Sequence, residues 1–204
     1  MPSMRCTLLT AALLVSQGAA FAPTTSARGT AKKIHAAPYE RYLDAACEAA
    51  RAAGALIRSA STDERAVDTL KANAKDLLTK TDVACQDVAA AVLARREPAS
   101  RLLGEEDVAP GGDAARRAAE KAFSEDGLVW AVDPIDGTAN FVDAIPLSAT
   151  SVAAVECKGG TCRVVAGAIY DPYRDELFGA ARGGAAPGSR LEASGRRSPS
   201  PPPC

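Results

Sequence analysis

The run Leu128 to Val132, closed by Asp133-Pro134-Ile135-Asp136-Gly137, constrains this chain more than any other stretch. It is short, apolar and biased towards β-branched and aromatic residues, with Asp126-Gly127 before it and Asp133-Pro134 after it, which predicts a buried strand ending at a turn. Pro134 fixes its own φ and pushes Asp133 out of the helical region. The chain must then turn sharply and bring the Asp136 carboxylate back towards that of Asp133. Two hard oxygen ligands converge, and the Ile135 carbonyl is pinned between them as a third. Magnesium suits such a set, since it takes one or two carboxylates together with water and substrate phosphate. Gly137 lets a ligand approach the backbone closely, and Thr138 offers a hydroxyl where free N–H groups at a helix start could hold an anion. Taken alone, Asp-Pro-x-Asp-Gly is equally ordinary turn chemistry.

Around this turn the periodicities predict a layered domain. Tyr39, Tyr42, Leu43, Ala46, Ala50, Ala53 and Ile57 recur at helical spacing, giving an amphipathic helix that ends near Ser59. A second helix is predicted from about Asp82 to Arg96, closed by Pro98. Strands are predicted at Leu128 to Val132, Ser148 to Cys157, Arg163 to Tyr170 and around Glu176 to Ala180, so helices come first and an antiparallel meander follows. Read without context, Asp82 behind Thr81 is a helix cap, Glu105-Glu106-Asp107 a solvated acidic loop, and Lys71 a surface charge.

The longer string from Trp130 to Phe141, WAVDPIDGTANF, changes that reading. It resembles the signature of the inositol monophosphatase family: an aromatic residue, two apolar residues, Asp-Pro-Ile/Leu-Asp-Gly-Thr, a small residue, then Asn-Phe. Three more stretches are similar to that family in order and spacing. KANAKDLLTKTD, Lys71 to Asp82, looks like a loop lysine, a short extended segment and the Thr-Asp that opens a second helix. Leu103-Gly104-Glu105-Glu106 looks like the family's Gly-Glu-Glu element. Gly167 to Pro172, continuing through Glu176-Leu177-Phe178 to Ala185, is similar to a strand-turn-strand region. The resemblance runs from about Tyr39 to about Leu191 and implies an α+β fold, a layered αβαβα sandwich with an antiparallel meander.

Carried onto this sequence, the resemblance makes Glu105, Asp133, Asp136 and the Ile135 carbonyl metal ligands, with Glu106 behind them. Thr138 and Asp82 would orient the attacking water, with Glu105 also counted in the catalytic set. The backbone around Asp136, Gly137 and Thr138 would bind phosphate, and Lys71 would lie on a loop closing over the metals. The implied reaction is hydrolysis of a phosphate monoester by metal-activated water, without a covalent enzyme intermediate. The implied cofactor is Mg²⁺, about two or three ions per site, with Mn²⁺ as a substitute. Inositol monophosphate is the leading substrate, because Asn140-Phe141 leans that way. Histidinol phosphate, fructose bisphosphate and bisphosphate nucleotides are the alternatives within the superfamily. A non-catalytic relative that retains cation binding is the competing class. The sequence departs from the family after Leu191, where it turns rich in Ser, Gly, Arg and Pro. Family members continue there through a second α/β region with a Trp-Asp-x-Ala-Ala-Gly-like motif, whose aspartate ligates the second metal. The expectation is therefore a chain lacking the C-terminal part of the fold, with weak or absent turnover and exposed apolar surface.

Composition excludes little else. A net charge of -1 gives no electrostatic case for nucleic acid or anionic membranes, and 4% aromatic content argues against a base-stacking platform. The expected partner is a small phosphorylated polyol, with no nucleic acid and no membrane, and a homodimer is left open. Residues 1–37 read as a leader: an apolar stretch from Leu8 to Val15, a small-residue cleavage pattern ending Ala-Phe-Ala-Pro, then an acid-free basic stretch. This bipartite pattern points to a plastid stroma, with plain secretion as the alternative. His35, the only histidine, falls in that leader, so histidine has no part in the expected chemistry. Residues 38–191 form the domain and 192–204 a disordered tail. Of six cysteines, Cys157 and Cys162 bracket Lys158-Gly159-Gly160-Thr161, a good hairpin turn, and a disulfide between them is a hypothesis set against the rarity of such bonds in reducing compartments.

Overall fold

A computed structural model describes residues 38–62, 64–105, 107–108, 112–183 and 190–192, with side chains described except at 62–79 and 190–192. Helix α1 spans Glu40–Thr62 and α2 Glu64–Arg96; β1 (Arg101–Gly104), α3 (Gly112–Ala122) and β2 (Gly127–Asp136) follow. The one-turn helix α4 (Thr138–Val142) leads to β3 (Ala149–Lys158), β4 (Thr161–Asp171), β5 (Glu176–Ala181) and β6 (Arg190–Glu192). The strands form one sheet in the order β1 to β6, with β1 parallel to β2 and every other pair antiparallel. The predicted meander is thus present from β2 onwards. The parallel edge strand β1 was not foreseen, because four residues ahead of an acidic pair carry too little periodicity. It reaches β2 through α3, as a parallel pair requires a crossover.

The α1 periodicity holds: Tyr42, Leu43, Ala46, Ala50, Ala53 and Ile57 are all buried. Its alanines allow close approach to the sheet, where Val152, Ala154, Ala166, Ala168, Tyr170 and Leu177 face it in one core together with Trp130 and Val132. The α1 and α2 helices run antiparallel, since the Cys85 thiol donates to the Ala53 carbonyl at 3.4 Å while Arg95 pairs with Glu48 further along. Alternation places Val129 and Val155 on the other face of the sheet, where they join Leu103, Cys157 and Ala119 of α3 in a smaller core. Among the described residues no helix is long and apolar enough to cross a membrane.

Two expectations need correction here. Lys71 to Asp82 is not a loop followed by an extended segment, and Asp82 does not open a helix; residues 64–96 are one helix, with Asp82 inside it. That stretch contains neither Gly nor Pro and is rich in Ala, Leu and Lys, so nothing local interrupts helical hydrogen bonding. The helix ends at Arg96, two residues ahead of Pro98, as the restriction before proline demands. The strand carrying the paired aspartates also does not stop at Asp133, but continues to Asp136 through a register shift between those two residues.

Cys157 and Cys162 stand directly opposite one another on β3 and β4 and are joined in a disulfide. Mass spectrometry is expected to find both sulfurs protected from alkylation until reductant is added. The loop closed is short, so reduction is expected to remove only about 2 kcal/mol of stability. Cys47 and Cys85 are free, and burial pushes their thiols up to about 11 and about 12, which leaves them protonated and unreactive.

Candidate active site

Asp133 and Glu105 come together because their strands are neighbours. Gly104 pairs with Val132, and the Glu105 N–H donates to the Val132 carbonyl at 3.2 Å, so each acid follows the last pair of the β1–β2 ladder. Leu103 anchors β1 in the smaller core, and Gln86 of α2 fills the space where a Cβ on Gly104 would lie. Asp82 reaches the cluster from α2 and is itself 3% exposed.

The electrostatics are those of crowded acids. Asp133 is 6% exposed, and its Oδ1 is buried without a hydrogen-bond partner. Burial pushes its carboxyl up to about 9, helped by the charges of Glu105 and Asp136, a hydrogen bond with Glu105, and the charge of Asp82. An orphaned acceptor inside a field of three further carboxylates is what a divalent cation would satisfy, and the donors are hard oxygens suited to Mg²⁺. The residues present therefore fit the ion. No three His, Cys, Asp or Glu side chains among the described residues converge on one ion-sized point.

The remaining predicted site residues divide. Ile135 is buried, and its carbonyl accepts from the Thr138 hydroxyl at 3.0 Å, so Thr138 braces the turn. Gly137 is left-handed, with φ 90°, and opens α4 without a side-chain cap. The helix it opens is a single turn, Thr138–Val142. Phe141 ties it into the main core. Lys71 lies on helical backbone in α2, in the part whose side chains are not described, and Glu106 lies outside the described residues.

Residues that the sequence alone did not single out complete the surroundings. A cleft of about 320 Å³ beside Asp136 and Gly137 is lined by Asn140, Leu147, Ser148, Ala149, Asp171 and Arg174. Asn140 Nδ2 donates to the Leu147 carbonyl at 2.7 Å, Ser148 and Tyr173 share a hydroxyl pair at 2.9 Å, and Asp171 holds Arg174 at 2.7 Å. Asn140 and Asp171 belong to stretches that resemble the family; Leu147, Ser148 and Ala149 come from the segment entering β3, and Arg174 from the β4–β5 turn.

The model of the inositol monophosphatase family matches residues 39–199. Human inositol monophosphatase 2 is 36% identical over 166 residues, covering 79% of this chain and 52% of the relative. The Nus factor SuhB of Pseudomonas aeruginosa is 35% identical over 158 residues, covering 76% and 54% respectively. Among solved structures, CysQ from Bacteroides thetaiotaomicron, a bacterial member of that family, superposes with a TM-score of 0.53 at 28% identity, over 71% of this chain and 47% of its own. The chain spans about half the length of the curated relatives it matches. With acids carried on two neighbouring parallel strands, and with a family match over most of its length, the chain belongs to the inositol monophosphatase family.

Proposed function

We propose that this chain carries the cation-binding centre of a Mg²⁺-dependent phosphatase acting on a small phosphate monoester, with inositol monophosphate the first substrate to test. The observation that carries this reading is the buried, unpartnered Oδ1 of Asp133 beside Glu105, Asp136 and Asp82. Asp133, Asp136, Glu105 and the Ile135 carbonyl would hold the cations. When bound, these lower the pKa of water and neutralise charge on the departing oxygen. Thr138 and Asp82 would orient the water, and the cleft bordering Asp136, mostly apolar in its lining, would receive the ester's alcohol portion. SuhB and CysQ among the relatives keep the substrate open within the superfamily.

The test is phosphate release from myo-inositol 1-phosphate, histidinol phosphate, fructose bisphosphate and a bisphosphate nucleotide, with and without Mg²⁺. Mg²⁺-dependent release from the first above the others is the expected result. The competing reading is a cation-binding relative without turnover. Mg²⁺ uptake by calorimetry with no release from the whole panel would establish that one, and absence of uptake defeats both.

A further inference from the structure

The β2–β3 ladder is interrupted at one place. Asp133 pairs with Ser151 and Asp136 with Ala149, so Pro134 and Ile135 stand against Thr150 alone. Two residues opposing one is a β-bulge, which bends its strand, and Pro134 has no N–H with which to complete a ladder bond. The Pro134 carbonyl is buried at this bend and still needs a donor. Thr150, at 0% exposure, supplies it: Oγ1 donates to that carbonyl at 3.0 Å. The next residues of β3 on the same face, Val152 and Ala154, are apolar members of the main core. A hydroxyl thus enters an otherwise apolar row where the ladder leaves one acceptor uncovered.

We propose that Thr150 is a positioning residue for cation uptake, its hydroxyl fixing the Pro134 peptide and hence the separation of the Asp133 and Asp136 carboxylates. The inference rests on the reading of this site as a cation centre. Without the hydroxyl, the peptide between the two acids is free to rotate towards another donor, and both carboxylates move with it. Groups that orient metal ligands from behind typically change affinity by about 10–100-fold when removed.

The experiment is titration of the full chain with Mg²⁺, and separately Mn²⁺, in the presence of inorganic phosphate, for the wild type, Thr150→Val and Thr150→Ser. Valine keeps the shape and loses the hydroxyl; serine does the reverse. The expected pattern is affinity reduced at least about 10-fold in the valine variant and within about 3-fold of wild type in the serine variant, although serine loses a buried methyl and melts earlier. A merely structural role would make affinity follow melting temperature instead. Equal affinity in wild type and Thr150→Val overturns the inference and leaves the cation centre standing. No uptake by wild type overturns the cation centre, and this inference with it. Should Thr150→Val not fold, Thr150→Ala against Thr150→Ser decides, with amide exchange across residues 133–138 as the second readout: faster exchange and weaker binding in alanine support the role, and equality in both refutes it.

Discussion

Asp133→Asn is expected to abolish Mg²⁺-dependent phosphate release and to weaken Mg²⁺ binding beyond the roughly 100-fold upper range for outer partners of a metal site, while leaving the cation-free protein as stable as wild type or more so. The two effects have one cause. Asp133 is buried beside Glu105, Asp136 and Asp82, so its charge is useful to a cation and unfavourable without one. Asparagine fills the same volume and carries no charge.

The pH dependence follows with a definite sign. Burial, then the charges of Glu105 and Asp136, raise this carboxyl from 3.8 to about 9. A raised acid keeps its proton in the folded state after the unfolded chain has lost it, so the folded state binds more protons between those values. Stability of the cation-free protein therefore falls as pH rises from about 4 towards about 9. A cation must displace the same proton, so its affinity rises over that window and binding releases protons. Thermal melts of wild type without divalent ions, from pH 5 to 9, are expected to decline more steeply than those of Asp133→Asn. Calorimetry in buffers of different ionisation enthalpy reads the released proton directly. Parallel melting curves for the two proteins would contradict the electrostatic account even if activity were lost.

Much of this arrangement was legible in the residues because its determinants are local. The α1 stripe from Tyr42 to Ile57 and the apolar runs of β2 to β5 are short-range patterns, and each element lies where they put it apart from the extension of β2 to Asp136. The Asp-Pro-Ile-Asp-Gly run likewise forced a bend with two acids. What escaped was set by pairing. Thr150 looks like any strand threonine until the register places it alone against Pro134 and Ile135. Asp171 and Arg174 become neighbours of Asp136 only once β4 and β5 are folded beside β3. At Lys71 to Asp82 two signals conflicted: the segment resembles a loop of the family, whereas its Ala, Leu and Lys content favours helix, and the structure follows composition. The α3 segment, GDAARRAAEKA, is rich in charge and alanine, and it meets the sheet through small side chains alone, Ala119 in the smaller core with Ala118 and Ala122 packed against it.

Gly137→Ala is expected to produce the largest loss of stability of any single-methyl change at the site, about 3 kcal/mol, and to remove cation-dependent turnover with it. Two independent penalties meet at this residue. Its φ of 90° with ψ of 36° is left-handed backbone that a side chain disfavours. A Cβ there would also lie 2.7 Å from the Leu147 carbonyl oxygen and 3.3 Å from the Ser148 Cα, both backbone atoms that cannot turn aside. Relief would require either the turn after Asp136 or the segment entering β3 to move. The first displaces a carboxylate proposed to hold the cation; the second breaks the bond from Asn140 to the Leu147 carbonyl and opens the cleft. Asn140→Ala separates these consequences, since it releases the Leu147 carbonyl without touching Gly137 or its φ. It is expected to cost about 1 kcal/mol and to raise KM more than it lowers kcat. Chemical denaturation of both variants, with Mg²⁺ titration of each, checks the argument. A Gly137→Ala protein that melts within about 0.5 kcal/mol of wild type would mean that this turn relaxes freely, contrary to the close approach seen here.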